Sequence, residues 1–493
     1  MKYQNPIIRG FYPDPSFCTD GEKYYLVTST FQYFPGVSLF ESEDMVNWTK
    51  LGAVLTRASQ LPLSGTGTAG GIYAPTIRYH EGRFYMVVTN VTYGGNFYVW
   101  TDDIHGEWSE PLYVDQNGID PTIFFDDDKK TYFISNDGVM DGVPCIQICE
   151  IDIETGKKLT PSAPLWCGTG GRYVEAPHIY KVNGWYYILD AEGGTEYGHM
   201  VNYARSRNIH GPFEPFPENP ALTMRDTPAS ILQGSGHGDL LMDKNGQWWF
   251  THLAFRVIPG VSQHHHLGRE TCLIPVTWKD DWFYIGDGTV HEEYDIPAGF
   301  FAPQKRDFLR TFENLKPMAD CSYIHFCDAL KYDFKADGLT LTGTSASPFR
   351  LADDPVFAGI RQEEMREEMR VFLSSECDEA GVSMYMDPDH HYDLFIEEGK
   401  RAVLRFTVGC VSERKAEISL EPGEKAGLQV VAEDDEYRFS LLKGGNEIFM
   451  GLGNCHYLSS ETAGGFTGVM FGMYAIDPEG RKAVFTDLMM KNK

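Results

Sequence analysis

The chain lacks the long apolar runs of a membrane protein and the positive charge of a nucleic-acid-binding protein. No apolar run approaches the roughly 20 residues that cross a bilayer, and the opening MKYQNPIIRG has no apolar signal-peptide core. Its 42 basic residues face 70 acidic ones, which gives a formal net charge of −28. Such a surface repels phosphate backbones and anionic lipid headgroups. We therefore expect no nucleic-acid partner, no membrane partner and a cytoplasmic location.

Paired cysteines are also missing. Ten cysteines are scattered through the chain, and the closest two, Cys145 and Cys149, have neither a second pair nor a histidine at zinc-site spacing. This pattern favours reduced, buried thiols over disulfides or metal ligands.

Helical periodicity is scarce, and a repeat of aromatic strands takes its place. A polar turn, an aromatic cluster and an apolar strand recur together about 50 to 60 residues apart. The five copies begin at Asp20, His80, Asp126, Lys181 and Asp243. Hairpin units at this period are typical of a β-propeller. We predict an all-β chain whose residues 1–305 form a five-bladed β-propeller.

An acidic residue or a histidine stands 11 or 12 residues before four of the aromatic clusters. These residues are Asp14, Asp120, Glu175 and His237. The shared offset predicts that they occupy the same place in successive blades. If that place is the start of the innermost strand, their side chains converge on the propeller axis.

Asp14 lies in GFYPDPSF, between Pro13 and Pro15, which restrict the backbone around it. Asp and Pro are also ordinary turn residues, so this stretch alone favours a surface turn. Three clustered carboxylates change that preference. Their mutual repulsion is costly, and such clusters persist where shifted pKa values serve catalysis.

Two carboxyl groups across a small pocket suit cleavage of a glycosidic bond. One donates a proton to the leaving oxygen and the other activates water, while a third carboxylate can raise the pKa of the acid. Aromatic side chains near the strand starts could stack on sugar faces or simply pack the blades. They are Phe31, Tyr33, Phe34 and Tyr73.

These motifs resemble glycoside hydrolase family forty-three, the inverting β-xylosidases and α-L-arabinofuranosidases. YPDPS resembles the family's general-base motif, GIDPTIFFDDDKKTYF that of its pKa-modulating aspartate, and VEAPHIYKVNGWYYIL that of its general acid. The resemblance implies that Asp14 is the general base, Asp120 the modulator and Glu175 the general acid.

Two further motifs, HGDL and HLGRETCLIPVTWKDDWF, resemble the family and place His237 and Arg269 at the active site. Arg269 would bind sugar hydroxyls. For His237 three interpretations stay open: an axial calcium ligand with a water-filled shell, a hydrogen-bonding neighbour of the acids, or a satisfied buried histidine. The run His264, His265 and His266 resembles a metal tract only weakly. We expect no required cofactor and no protein-ligated metal, with an axial or structural Ca²⁺ left open.

The sequence departs from the family pattern at two points. Ala176 follows Glu175 where glycine is frequent, and Tyr73 stands where some xylosidases carry Trp. The second departure leaves the sugar-stacking wall, and so the choice of xylose or arabinose, undecided.

The aromatic repeat ends before residue 320, and alternating strands follow to residue 493. We predict a β-sandwich domain over 320–493 that packs on the propeller. The stretch RQEEMREEMR fits either a strand or a short helix. AGGFTGVMFGMYA resembles a family loop that closes the pocket, so Phe466 is either a pocket wall or a core residue.

A closed pocket predicts an exo-acting enzyme that removes terminal xylose, with arabinofuranose as a second candidate sugar, from short xylo-oligosaccharides or arabinoxylan fragments. The alternatives are mainly α-L-arabinofuranosidase activity, an endo-acting arabinanase, or a non-catalytic carbohydrate-binding propeller. The expected partner is a small oligosaccharide, and a homo-oligomer is left open.

Overall fold

The computed structural model describes residues 2–260, 263–296, 304–350, 354–421 and 423–493. Almost all of its regular structure is β-strand, in five small sheets followed by two large ones. The two described α-helices are single turns, Pro317–Asp320 and Ser460–Ala463, and a 3-10 turn covers Cys455–Leu458. No helix in the described part of the chain has the length and apolar character needed to span a membrane.

Each of the five small sheets is an antiparallel blade of a propeller. Blade 1 contains Ser16–Thr19, Tyr24–Thr28, Gly36–Ser42 and Thr49–Leu55; blade 2 contains Thr76–His80, Arg83–Asn90, Gly95–Thr101 and Leu112–Tyr113; blade 3 contains Thr122–Phe125, Thr131–Met140, Val143–Ile151 and Ala163–Trp166; blade 4 contains Glu175–Val182, Trp185–Glu192, Met200–Ser206, Glu214–Pro215 and Leu222–Thr223; blade 5 contains Leu232–Met242, Trp248–Arg256, Glu270–Lys279 and Trp282–Ile285.

The first strands of successive blades contact one another and form the inner ring of the propeller. The ring closes where Ser16–Thr19 of blade 1 meets Leu232–Met242 of blade 5. At the periphery Lys2–Gln4 pairs with Glu293–Asp295 and ties the two ends of the propeller together. The predicted five-bladed propeller is confirmed.

The aromatic clusters that revealed the repeat form the contacts between blades. Tyr24–Thr28 is buried along its whole length, and Trp249 at the equivalent point of blade 5 is fully buried. Aromatic and β-branched residues favour such pleated, buried surfaces, which is why these segments form strands.

Two eight-stranded sheets form the C-terminal β-sandwich, as predicted. The first sheet contains Leu309–Arg310, Tyr332–Lys335, Gly338–Thr342, Lys482–Asn492, Glu367–Ser375, Ala426–Glu433, Glu436–Lys443 and Asn446–Asn454; the second contains Val411–Ser419, Arg401–Val408, His390–Glu397, Glu379–Asp387, Met470–Ile476, Phe357–Arg361, Cys321–Ile324 and Tyr33–Phe34. RQEEMREEMR spans the end of Phe357–Arg361 and the start of Glu367–Ser375, so the strand alternative holds.

A short propeller segment completes the second sandwich sheet. Tyr33–Phe34 pairs with Tyr323 and Ile324, and both of its side chains are buried there. The suggestion that Tyr33 and Phe34 stack on sugars is therefore wrong, because they dock the sandwich on the propeller. Residues 297–303, just before the expected propeller boundary at 305, lie outside the described residues.

Candidate active site

Three of the predicted site residues occupy the same backbone position in their blades. Asp14, Asp120 and His237 have φ of 55°, 54° and 47°. Each stands two residues before a residue that pairs across to the second strand of its blade: Ser16 with Val27, Thr122 with Ile134, and Asp239 with Thr251. Asp and His tolerate this left-handed conformation better than most residues. It turns the chain sharply where each inner strand begins.

In blade 4 the equivalent position belongs to Ala176, not to Glu175. Ala176 has φ 52°, and His178 pairs with Leu189 across a bulge that begins at Glu175. The offset counted from Tyr186 was therefore wrong by one residue. Glu175 matches Tyr73 of blade 2, whose backbone N–H donates to Thr89 at 3.0 Å. An alanine at positive φ is strained relative to glycine, which gives the glycine preference at this point a physical reason.

One cavity of about 570 Å³ gathers eight of the site candidates that the sequence offered. Its lining includes Asp14, Phe31, Tyr73, Asp120, Glu175, His237, Arg269 and Phe466. The first seven come from the propeller and Phe466 from the sandwich, so both domains build the cavity.

Asp14 is held as an ionised carboxylate. Arg269 Nη1 donates to its Oδ1 at 2.7 Å, and Ser29 Oγ donates to its Oδ2 at 2.6 Å. Burial is the largest single effect and would raise the pKa of Asp14, but Arg269, His237 and Ser29 together lower the pKa below its ordinary value. Asp14 therefore suits the role of a proton acceptor.

Asp120 and Glu175 behave in the opposite way. Burial, with the charges of Glu175 and Asp14, raises the pKa of Asp120 well above its ordinary value. Burial and then the charge of Asp14 raise the pKa of Glu175. At a pH at which Asp14 is ionised, Asp120 and Glu175 therefore retain a proton between them. The backbone N–H of Ala176 donates to Asp120 Oδ2 at 3.1 Å and so links the residue after Glu175 to Asp120.

Three aromatic rings form one wall of the cavity. Phe31 stacks on Phe466 with ring centroids 5.8 Å apart, and Tyr73 meets Phe31 edge-on at 5.2 Å. The guanidinium carbon of Arg269 lies 5.6 Å from the Phe31 ring and 5.4 Å from that of Phe466. Phe466 is half-buried and faces the cavity, which answers the open choice between wall and core in favour of the wall.

His237 has neighbours that fit a neutral hydrogen-bonding side chain. Its Nδ1 lies 3.8 Å from Asp14 Oδ1, and burial lowers its pKa. Calcium prefers several oxygen ligands, yet Asp14 is already paired with Arg269. Over the described ranges, no group of three or more His, Cys, Asp or Glu side chains could hold a metal. These residues do not fit a protein-ligated calcium site; a water-coordinated ion at His237 stays a prediction.

Sequence reasoning missed a hydrogen-bonded cluster at the cavity's rim, here called the rim cluster: Glu461, His265 and Tyr197. Glu461 Oε1 lies 2.7 Å from both His265 Nδ1 and the Tyr197 hydroxyl, and the His265 backbone N–H donates to its Oε2 at 3.0 Å. Burial opposes ionisation of Glu461, but the bonds from His265 and Tyr197 outweigh it and lower its pKa to about 2. Glu461 belongs to the sandwich, so this cluster joins the domains.

The three consecutive histidines serve packing and domain contact instead of a metal. His264 Nε2 lies 2.9 Å from Asp435 Oδ1, His265 belongs to the rim cluster, and His266 packs edge-on against Tyr437. Burial lowers the pKa of His266 to about 3, so that ring is neutral. No sequence signal predicted the hydrogen-bond partners of these histidines, because Asp435 and Glu461 lie in the other domain.

Comparison with known proteins agrees with this arrangement. Residues 3–283 match the family model described as Glycosyl hydrolases family 43, and residues 328–489 match Beta xylosidase C-terminal Concanavalin A-like domain. The non-reducing end α-L-arabinofuranosidase BoGH43B of Bacteroides ovatus is 37% identical over 96% of this chain and 91% of its own length. A xylosidase/arabinosidase of Butyrivibrio fibrisolvens is 36% identical over 96% of this chain and 95% of its own.

Solved structures show the same two-domain fold. The xylan β-1,4-xylosidase from Bacillus halodurans C-125 is 31% identical, with a TM-score of 0.90 over 100% of both chains. "Bacteroides ovatus Xyloglucan PUL GH43B" is 35% identical, with a TM-score of 0.91 over 100% of both chains. From the family matches and these full-length relatives, we conclude that the chain belongs to glycosyl hydrolases family 43.

Proposed function

We propose that the protein is an inverting exo-glycosidase that releases terminal xylose from short xylo-oligosaccharides or arabinoxylan fragments. The observation that carries the proposal is the contrast between two carboxyl groups in one cavity. Asp14 has a lowered pKa and Glu175 a raised one. Carboxyl groups whose pKa values are pushed apart are the usual acid and base of glycoside hydrolysis.

Glu175 is the proposed general acid. It keeps its proton because burial and the charge of Asp14 oppose ionisation. In the reaction its carboxyl proton passes to the glycosidic oxygen as the bond to the anomeric carbon breaks. The leaving sugar departs as a neutral alcohol.

Asp14 is the proposed general base. Arg269 and Ser29 keep it ionised and fix both carboxylate oxygens, so the carboxylate can take a proton from a water molecule. That water attacks the anomeric carbon from the face opposite the leaving group and inverts the configuration. Asp120 is the proposed modulator, held through the Ala176 N–H beside Glu175.

The sandwich domain supports exo action on short chains. Phe466, Glu461 and Gly465 line the same cavity as the three acids, so the sandwich covers one side of it. An endo-acting enzyme needs a groove through which a polysaccharide can run. A covered cavity of about 570 Å³ suits instead the end of a short oligosaccharide.

The sugar itself has a second candidate. The Bacteroides ovatus relative is named an α-L-arabinofuranosidase, while the Bacillus halodurans structure is named a xylan β-1,4-xylosidase. Arabinofuranosidase activity, alone or beside xylosidase activity, is therefore the alternative. A non-catalytic binding propeller is less favoured, because binding sugar does not require three buried carboxyl groups with divided pKa values.

A cytoplasmic location belongs to the same proposal. All ten cysteines are free, and seven of them are buried. Free thiols suit a reducing compartment, where short oligosaccharides taken up by a cell would be the available substrates.

The test is a substrate panel on the wild type and on Glu175→Gln. The relative kcat/KM values on nitrophenyl β-xyloside, nitrophenyl α-arabinofuranoside and xylobiose should show which terminal sugar the enzyme prefers. Glu175→Gln should lose far more activity on xylobiose than on nitrophenyl glycosides, because nitrophenolate leaves without a proton. Proton NMR should show the inverted anomer first. Retention of configuration, or full activity of the variant on xylobiose, would refute the mechanism.

A further inference from the structure

A second cavity, here called the junction cavity, lies where blade 1, the segment from Gln304 to Lys316 and the sandwich meet. Its volume is about 430 Å³, within the range of about 300 to 1,000 Å³ of small-molecule sites. It shares no lining residue with the catalytic cavity. Nothing in the proposed reaction uses it.

The junction cavity is basic although the chain as a whole is strongly acidic. Among the residues that the structure describes, its lining contains six basic side chains against three acidic ones. The basic residues are Arg9, Lys50, Lys305, Arg306, Arg310 and Lys316. In a chain with a net charge of −28, such a local excess of cations favours an anionic ligand.

Lys50 is a cavity cation whose described contacts are with an aromatic side chain. Its Nζ contacts the Tyr12 hydroxyl at 3.3 Å and lies 5.0 Å from the centre of that ring. Among the side chains that the structure describes, no carboxylate lies within 4.0 Å of this ammonium group. The two acids whose charges act on Lys50 are engaged elsewhere: Asp320 accepts the backbone N–H of Lys316 at 2.7 Å, and Glu363 pairs with Arg310 at 2.7 Å.

Two arginines add positive charge around Lys50. Arg361 is 3% exposed, lies 4.2 Å from the Tyr12 ring on the sandwich side, and donates to Ser38 Oγ at 3.3 Å. Within the described ranges it too has no carboxylate at ion-pair distance. Arg310 reaches Glu363 through Nη2, but its buried Nη1 has no hydrogen-bond partner among the described residues. Buried cations without partners are costly unless an anion compensates them.

The pKa of Lys50 reflects its burial and the positive charge around it. Burial and then the charge of Arg361 lower the pKa of Lys50 to about 7, while Asp320 and Glu363 oppose the shift. Near neutral pH Lys50 is therefore only partly charged. An anion beside it would favour the protonated form, so binding should strengthen as the pH falls.

We propose that the junction cavity binds a small oxyanion, either a tetrahedral anion or the carboxylate of an acidic sugar, between Lys50 and Arg310. Trp48 is partly exposed in the same space and offers an aromatic face to a sugar ring. Because the lining comes from both domains, an occupant would bridge propeller and sandwich. This proposal does not depend on which glycosidic bond the catalytic cavity cleaves.

The probes are sulfate and D-glucuronate, measured by isothermal titration calorimetry on the full chain at pH 6 and pH 8.5. Ionic strength is held constant with chloride. The charges of both probes are fixed over this range, so a pH effect reports the protein. We expect single-site binding of at least one probe, about tenfold weaker at pH 8.5 as Lys50 loses its proton. Binding of sulfate indicates a tetrahedral anion, and binding of glucuronate alone indicates an acidic sugar.

Lys50→Met keeps the length and apolar stem of the side chain but removes the charge. We expect it to abolish probe binding and leave glycoside hydrolysis unchanged, whereas Lys157→Met, which removes an exposed charge on blade 3, should change neither. Absence of binding by both probes at pH 6, equal affinity at both pH values, or wild-type binding by Lys50→Met would each overturn the proposal. Should Lys50→Met fail to fold, the pH dependence of the wild type still decides.

Discussion

Arg269 and Asp14 form a buried ion pair of 2.7 Å in the centre of the catalytic cavity. Both side chains are almost fully buried, so solvent screens the pair little. Burial alone would make Asp14 a poor base, and Arg269 is the largest effect that keeps it ionised. The same guanidinium donates to Thr195 at 3.1 Å, which fixes its position.

Replacing Arg269 should therefore change the pH profile as well as the rate. In Arg269→Met the pKa of Asp14 rises, so the acidic limb of the kcat/KM profile, where the base becomes protonated, moves to higher pH. Activity at the new optimum should fall about 100-fold, as for loss of one preorganised charged donor. Arg269→Lys keeps a cation and should shift the limb less. An unmoved acidic limb in Arg269→Met would separate Asp14 from the base role.

Asp14→Asn should remove the base while sparing the fold. Asparagine tolerates the positive φ of 55° at this position as well as aspartate does. We expect kcat to fall by about 10² to 10⁴-fold, the usual contribution of a general base. Circular dichroism and the melting temperature should stay near those of the wild type. Unfolding of the variant would instead make the stretch a structural turn.

Added azide provides a second readout for the same variant. A small anion can attack without a general base, so azide should partly restore turnover in Asp14→Asn and form a glycosyl azide. The wild type is the matched control and should gain nothing.

Ala176 offers a test of the backbone geometry beside Glu175. Its φ of 52° is unfavourable for a β-branched side chain. Ala176→Val should lower the free energy of unfolding by about 1 to 3 kcal/mol and reduce activity, because the strained turn aims Glu175. Ala176→Gly accepts the same φ, so its stability should stay within about 1 kcal/mol of the wild type and its activity should persist. Equal effects of both variants in denaturant titrations and assays would contradict this role.

The sequence predicted the architecture well because each copy of the aromatic repeat corresponds to one blade. The aromatic clusters are local signals, and each stands at a fixed distance from the start of an inner strand, so five blades and their common axis follow from spacing. The same spacing failed by one residue at Glu175, because Tyr186 and Tyr187 are consecutive aromatics and Tyr187, two residues before the Leu189 that pairs with His178, is the equivalent one. The offset and the family resemblance both indicated Glu175 as a site residue, and it lies in the cavity although its backbone position differs from that of Asp14 and Asp120.

Contacts between residues that are far apart in the chain could not be predicted from the sequence. Glu461 stands 196 residues from His265, and no local pattern links them. Tyr33 and Phe34 were candidate pocket aromatics because they lie near a strand start, yet their strand pairing with the sandwich directs them into the domain junction. Lys50 and Arg361 likewise meet only through the packing of the two domains.

The rim cluster should control how much of an oligosaccharide the cavity accepts. Glu461→Gln keeps the shape of the side chain but replaces an anion that holds His265 and Tyr197 with an amide, which weakens charge-assisted hydrogen bonds. The loop that follows, with Phe466, should then sit less firmly on Phe31. We expect a higher KM for xylobiose with a smaller change in kcat.

Phe466→Ala removes the wall itself and provides the comparison for Glu461→Gln. It should raise KM further and improve the relative rate on longer xylo-oligosaccharides, because the sandwich no longer closes that side of the cavity. Tyr457→Ala, an exposed aromatic on the same domain, is the matched control and should leave kinetics unchanged. Identical chain-length preference in Phe466→Ala and the wild type would remove the sandwich from substrate selection.

Removal of metal ions tests the assignment of His237 as an uncharged, hydrogen-bonding side chain. The imidazole faces Asp14 at 3.8 Å, its pKa is lowered by burial, and Asp14 is already paired with Arg269. These neighbours provide too few oxygen ligands for calcium to bind tightly. Dialysis against EDTA should therefore leave kcat/KM unchanged, and added Ca²⁺ should not raise it. Loss of activity on dialysis that Ca²⁺ restores, together with calcium found by elemental analysis, would make His237 a ligand of a water-coordinated ion.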